Sequence, residues 1–187
     1  GIIAIFLYVG IEVGIPNMAN LYMTSPDGLG MAAGVAGTLV GAYWFLMLCG
    51  RLVGGAVGAK VSSRAMMTFV SSIAIVFVLL GMFLPETMTM TLLDAQVPVG
   101  MVFFVLCGLC TSIMWGAIFN LAVEGLGKYT SIASGLFMVM VCGGGLLPLL
   151  QGFVADKAGY IPSYWVIIAA LAYTLWFALA GSKVEKK

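Results

Sequence analysis

The sequence predicts an all-α integral membrane protein, a bundle of six transmembrane helices built as a 3+3 inverted repeat. Three observations carry this expectation. First, 63% of the 187 residues are hydrophobic and only 8% are charged, with a mean hydropathy of +1.16; a soluble domain carries about 25% charged residues. Second, six apolar runs are separated by short polar linkers. Each run is long enough to cross about 30 Å of hydrocarbon at about 1.5 Å per residue. Third, Gly55-Ala-Val-Gly-Ala-Lys60-Val-Ser62 aligns with Gly152-Phe-Val-Ala-Asp156-Lys157-Ala-Gly159, with Lys60 on Lys157. That offset also lays span one on span four and span three on span six. Three spans followed by three more place the repeats in opposite orientations, a pattern of secondary transporters.

The predicted spans are Gly1–Tyr22, Met31–Ala59, Ala65–Leu84, Val97–Ala122, Tyr129–Val154 and Pro162–Ala180, together one six-helix transporter domain over residues 1–187. Span one is apolar throughout but carries Glu12, Pro16, Asn17 and Asn20. On a helix Glu12, Pro16 and Asn20 share a face, and a carboxylate at that depth costs about 3 kcal/mol on insertion scales. This face is expected to wall a polar pathway. Span two holds Arg51 and the glycine pairs Gly37/Gly41, Gly50/Gly54 and Gly54/Gly58, spacings that suit close helix packing. In span four Ser112 and Trp115 share one face, and Gly116, Asn120 and Glu124 share another. Span five contains Gly143-Gly-Gly145 and Pro148, a run that weakens a helix and is expected to bend during gating. Tyr160, Tyr164 and Trp165 open span six, as an aromatic belt or as packing.

With six spans, both termini share a side with the linkers after spans two and four. That side holds Lys60, Arg64, Lys128, Lys183, Lys186 and Lys187, against Lys157 alone on the other. Positive residues mark the cytoplasmic face, so both termini are expected there. The chain starts without methionine inside an apolar run, and is expected to be a fragment of a longer protein without a signal peptide.

The net charge of +1 offers no basis for nucleic-acid binding, and without histidine there is no histidine base or metal ligand. Cys107-Gly-Leu-Cys110 has the spacing of a redox or zinc motif but lacks a second pair, so these cysteines are expected to pack as small apolar side chains. No nucleophile–base set or phosphate cradle is recognisable, so neither an enzyme nor a cofactor is expected. Glu12 is the sharpest candidate. Hydrocarbon disfavours a lone carboxylate, so an acid there exchanges its proton, binds a solute, or is neutralised by a partner such as Arg51. Arg51 either snorkels to the interface or pairs with a carboxylate when a gate closes. An aromatic plate beside amides suits a sugar, which makes Asn17, Asn20, Trp115 and Asn120 the candidate substrate contacts. Gln151, Asn17 and Asn20 are each either an interhelical hydrogen bond or a substrate contact.

Several of these segments are similar to known transporters. Tyr8-Val-Gly-Ile-Glu12, Cys49-Gly-Arg51-Leu-Val-Gly, Leu121-Ala-Val-Glu-Gly-Leu-Gly127 and Val141-Cys-Gly-Gly-Gly-Leu-Leu-Pro148, followed by Gly152-Phe-Val-Ala-Asp156, resemble sugar:proton symporters of the major facilitator superfamily. Within it they resemble the fucose:proton symporter family, which includes bacterial glucose/galactose transporters. The resemblance implies the C-terminal half, helices seven to twelve, of a twelve-helix fold in a bacterial inner membrane. It further implies an N-terminal six-helix half as partner and alternating access to a sugar, driven by a proton gradient. The best-established proton-handling carboxylates of that family lie in the N-terminal half, which leaves Glu12 a role toward sugar hydroxyls. The family's loop motif stands intact as Gly152 to Gly159 with Asp156, and is degenerate after span two, with Ala59 for the acid and Ser62 for the last glycine. Gating is accordingly expected at Arg51, Gly143, Gly144, Gly145, Pro148 and Asp156. Helices one and four are expected to line the cavity, two and five to flank it, three and six to face lipid. The rival expectations are a carrier of another small polar solute and a self-assembling membrane module without transport activity.

Overall fold

The computed structural model describes residues 1–92 and 94–182. Its long helices are α1 (Ile2–Thr24), α2 (Ala33–Gly58), α3 (Ser63–Phe83) and α4 (Val99–Val123). Span five is the composite Gly127–Ala158, made of a 3₁₀ turn, α5 (Thr130–Val139), a second 3₁₀ turn at Met140–Cys142 and α6 (Gly143–Ala158). Span six is α7 (Tyr164–Trp176) continued by one wide π turn, Phe177–Gly181. All six are long and apolar enough to cross a membrane. Lys183, Lys186 and Lys187, three of the six basic residues assigned to the cytoplasmic side, lie outside the described residues.

The inverted repeat is visible in the packing. α1 packs on α6 as α4 packs on α2, and α1 meets α7 as α4 meets α3. α1 and α4 touch at the centre, α3 and α7 at the back. The central pair is the most buried, with 61% and 56% of their apolar stretches covered. Tyr164 of α7 joins them: its ring stacks on Phe104 of α4 at 4.1 Å, and its hydroxyl donates to the Ile15 carbonyl of α1 at 2.9 Å.

Both equivalent contacts rest on backbone approaching backbone. A Cβ on Gly143 of α6 would run into the Phe6 carbonyl of α1, and a Cβ on Gly108 of α4 into the Tyr43 carbonyl of α2. In α2, Gly50 and Gly54 pack against Ser112 and Ile113, whereas Gly34, Gly37, Gly41 and Gly55 have no atom within 4 Å of a built Cβ. The Gly37/Gly41 pair is therefore not a contact within this bundle, contrary to its spacing. Such spacing says only that a close approach is possible.

Two further departures from the expected layout have local causes. The linker after α3 holds an antiparallel hairpin, β1 (Thr89–Leu92) with β2 (Ala95–Pro98). Its first strand is Thr-Met-Thr-Leu, and alternate threonines favour a pleated backbone. Asp94 takes a φ of 61° in the turn, a conformation that aspartate tolerates better than most residues. Span five is broken at Met140–Cys142, immediately before the three glycines rather than within them. Glycine 143 begins the next helix because its lack of a side chain is what lets α6 close on α1.

Replacing Gly143 by leucine should force α6 off the Phe6 carbonyl, at a cost of about 1–3 kcal/mol or more for overpacking. Replacing Gly145, which has open space around it, should cost nothing comparable. Thermal unfolding of both variants in detergent checks this; equal melting temperatures would refute the assigned contact.

Candidate functional site

The site begins with a missing donor. Pro16 lies inside α1 and has no N–H, so the Glu12 carbonyl four residues earlier loses its helical partner. The Tyr43 hydroxyl of α2 donates to that carbonyl at 3.0 Å. The same hydroxyl lies 3.1 Å from Thr111 Oγ1 of α4. With its one proton on the Glu12 carbonyl, Tyr43 can only accept from Thr111, whose hydroxyl also lies 3.2 Å from the Cys107 and Gly108 carbonyls of its own helix. This chain, fully buried at Tyr43 and Thr111, ties three helices together at the depth of Glu12.

The Glu12 side chain, 13% exposed, forms an ion pair of 3.0 Å with Arg51 Nη2. The same nitrogen lies 3.5 Å from the Met47 sulfur one turn away. Arg51 is itself 53% exposed, so the pair is open on the arginine side. One turn before Glu12, Tyr8 is fully buried and its hydroxyl has no hydrogen-bond partner among the described residues. Its ring lies 6.0 Å from that of Trp115, tilted by 57°. Glu12, Arg51, Tyr8 and Trp115 thus converge from α1, α2 and α4.

Beside this cluster α2, α4 and the start of α3 enclose a groove of about 410 Å³. Arg51, Ser63, Ser112, Trp115, Gly116 and Asn120 border it. Asn120 Nδ2 donates to Ser63 Oγ at 3.4 Å. The shared face of Gly116 and Asn120 expected from their spacing therefore opens onto this groove.

The structure divides the candidate residues. Glu12, Arg51 and Trp115 are gathered at one level, with Asn120 beyond Trp115 toward the end of α4. Asn17, exposed, and Asn20, half-buried, lie about 8 and 12 Å further along α1 by its rise and do not border the groove. The expected polar face of Glu12, Pro16 and Asn20 is interrupted, because Pro16 is buried and borders a small void with Tyr43, Met101 and Phe104. Gly143 is buried, Gly144 half-buried and Gly145 exposed along α6; Pro148 sits within that helix and Asp156 is exposed in its last turns. Gln151 is fully buried and neither end of its amide has a hydrogen-bond partner among the described residues, so of its two expected roles, interhelical bond or substrate contact, the first is not made here. Tyr43 and Thr111 were not singled out from the sequence. The signal for Tyr43 was indirect: a proline four residues after Glu12 implies an orphan carbonyl and hence a donor nearby.

No family model matches the chain. The chain is similar to the glucose/galactose transporter of Brucella abortus, at 31% identity over 183 residues covering 98% of this chain and 42% of that one. It is similar to the L-fucose-proton symporter of Escherichia coli at 27% identity, covering 96% of this chain and 38% of that protein. Its fold superposes on a crystal structure of the Escherichia coli fucose:proton symporter with a TM-score of 0.83 at 26% identity, over 98% of this chain and 42% of that one. A crystal structure of a major facilitator superfamily transporter in the outward conformation superposes with a TM-score of 0.81 at 25% identity, covering 98% of this chain and 41% of the other. The chain has the fold of part of a major facilitator superfamily transporter. It spans about two fifths of the length of the curated relatives it matches and makes one six-helix half of the superfamily fold. This major facilitator half carries its ion pair where α1, α2 and α4 meet.

Two predictions follow from this geometry. Tyr43→Phe should cost about 1–3 kcal/mol by leaving the Glu12 carbonyl unpaired. In a Pro16→Ala background, where residue 16 regains its N–H, the same change should cost distinctly less; a double-mutant cycle on melting temperature reads the coupling, and zero coupling would sink the assignment. Arg51→Met should destabilise more than Glu12→Gln, because the first strands a poorly hydrated carboxylate while the second strands a half-exposed guanidinium. Unfolding in detergent at neutral pH ranks the two, and the opposite order would contradict it.

Proposed function

We propose that this chain is the C-terminal half of a proton-coupled monosaccharide transporter of the fucose, glucose or galactose type. It works by alternating access with an N-terminal six-helix half, in a bacterial inner membrane with both its termini cytoplasmic. The observation that carries the reading is an ion pair at membrane depth beside an aromatic plate, Glu12–Arg51 next to Trp115, in a chain whose relatives are named as sugar transporters. Charged groups within spans face cavities and mark solute or proton paths. The cluster supplies hydrogen-bonding groups for hydroxyls and a ring for the apolar face of a sugar.

Coupling requires only that solute and proton bind two conformations differently. Protonating Glu12 removes the negative partner of Arg51 and weakens the tie between α1 and α2. A sugar hydroxyl bonded to either group competes for the same tie. Binding therefore biases the relative positions of these helices without covalent chemistry or a cofactor, and the proton gradient supplies the energy. Asn17 and Asn20 further along α1 serve as contacts when the solute occupies the opposite end of the path, and the break before Gly143, with Pro148, gives span five its bend. Asp156 acts in the gating loop that follows α6.

The full-length protein containing this chain, reconstituted in proteoliposomes, should accumulate labelled L-fucose, D-glucose or D-galactose when protons flow inward. A protonophore should abolish that accumulation, and Glu12→Gln should abolish or uncouple it. Uptake unchanged in the variant would make Glu12 structural; no uptake of any of the three hexoses would overturn the sugar reading.

A further inference from the structure

The groove beside the ion pair is more than the wall of the candidate site. We infer that it is a second station for a neutral polyhydroxylated ring, sharing Arg51 and Trp115 with the ion-pair cluster and running between α2, the first turn of α3 and α4 to the end of the bundle that bears Lys60, Arg64 and Lys128. The inference rests on the transport reading and adds a second place where solute is held. Among the described residues none of α1 borders this groove; it leaves the ion pair on the side away from Asn17 and Asn20.

Its size, about 410 Å³, lies within the range of small-molecule sites. Space is kept by absent side chains: Gly55 and Gly116 border the groove, and a Cβ built on either meets no atom within 4 Å. A glycine inside a helix costs about 1 kcal/mol relative to alanine, and neither position is needed for packing within this bundle. The polar inventory is mixed, as hydroxyl groups require. Asn120 commits one N–H to Ser63, leaving its carbonyl oxygen and second N–H. Ser112, 4% exposed, gives its proton to the Leu109 carbonyl and keeps lone pairs as acceptors. Arg51 commits Nη2 to Glu12 and presents further donors on a fork of five. Because Glu12 balances Arg51, the groove offers no net charge to an ionic solute. Trp115, backed by Tyr8, presents a face for the C–H side of a ring.

The test uses the full-length transporter in vesicles of defined sidedness, with whichever of L-fucose, D-glucose and D-galactose the wild type carries. Gly116→Leu and Gly55→Leu add bulk to the groove at positions where a Cβ meets no atom within 4 Å; Gly37→Leu adds the same bulk on α2 at a position equally open to a Cβ but not bordering the groove. The two groove variants should raise KM for transport from the basic side by about tenfold or more, and leave KM from the opposite side within about twofold. Asn120→Ala should move KM in the same direction, while Gly37→Leu should match wild type and all variants should keep their melting temperatures. Wild-type KM from both sides in Gly116→Leu, or an equal loss in Gly37→Leu, would overturn the station. A fall in kcat alone would also overturn it, since the groove would then seat another part of the protein. Failure of the wild type to carry any of the three hexoses would instead overturn the transport reading, and the station with it.

Discussion

The arrangement depends on one constraint: at membrane depth every backbone polar group must find its partner inside the protein. Pro16 breaks that rule at the Glu12 carbonyl, and the bundle answers with Tyr43 from α2, itself supported by Thr111 of α4. The repair is made between helices rather than within one. It sets the spacing of α1, α2 and α4, and thereby brings the Glu12 carboxylate within 3.0 Å of Arg51. A proline that would only weaken an isolated helix here dictates where the charged cluster forms. The backbone carbonyl and side chain of Glu12 both bond to α2, one neutrally and one as an ion.

Close backbone contact does the rest of the positioning. Gly143 against Phe6 and Gly108 against Tyr43 bring helices together without intervening side chains. Such contacts admit little adjustment, because interiors are close-packed and resist deformation. Each half of the inverted repeat is thus joined to the other by a stiff seam, α1 with α6 and α4 with α2. The groove bordered by Trp115 and Asn120 lies just beside the second seam, where Gly54 packs and Gly55 does not.

Much of this architecture is legible in the sequence because lipid imposes simple demands: spans of sufficient length, few charges and short linkers. The repeat is legible through Lys60 and Lys157, which keep their register at equivalent helix ends. The chemistry of individual positions is less so. Spacing puts Glu12, Pro16 and Asn20 on one face, but Pro16 is buried and borders a small void lined by apolar side chains and Tyr43. Glu12 and Arg51 are conspicuous as charges, yet their pairing depends on the approach of α1 to α2, which no local pattern encodes. Tyr43 is one more aromatic in an aromatic-rich span until its hydroxyl is found on the Glu12 carbonyl. The hairpin after α3 was hidden because two four-residue strands carry little signal among polar linker residues.

The two seams are related by the repeat, but they are not equally knitted. Where α2 meets α4, Tyr43 and Thr111 share a hydrogen bond. Where α1 meets α6, the amide of Gln151 is pressed against Gly14 with neither end bonded, and span five is already interrupted at Met140–Cys142. A buried amide without partners raises the free energy of the arrangement that holds it. The pseudo-symmetric bundle is therefore unevenly knitted at two equally close-packed seams. The same fold thus closes one flank with a hydrogen bond between helices and the other with packing alone.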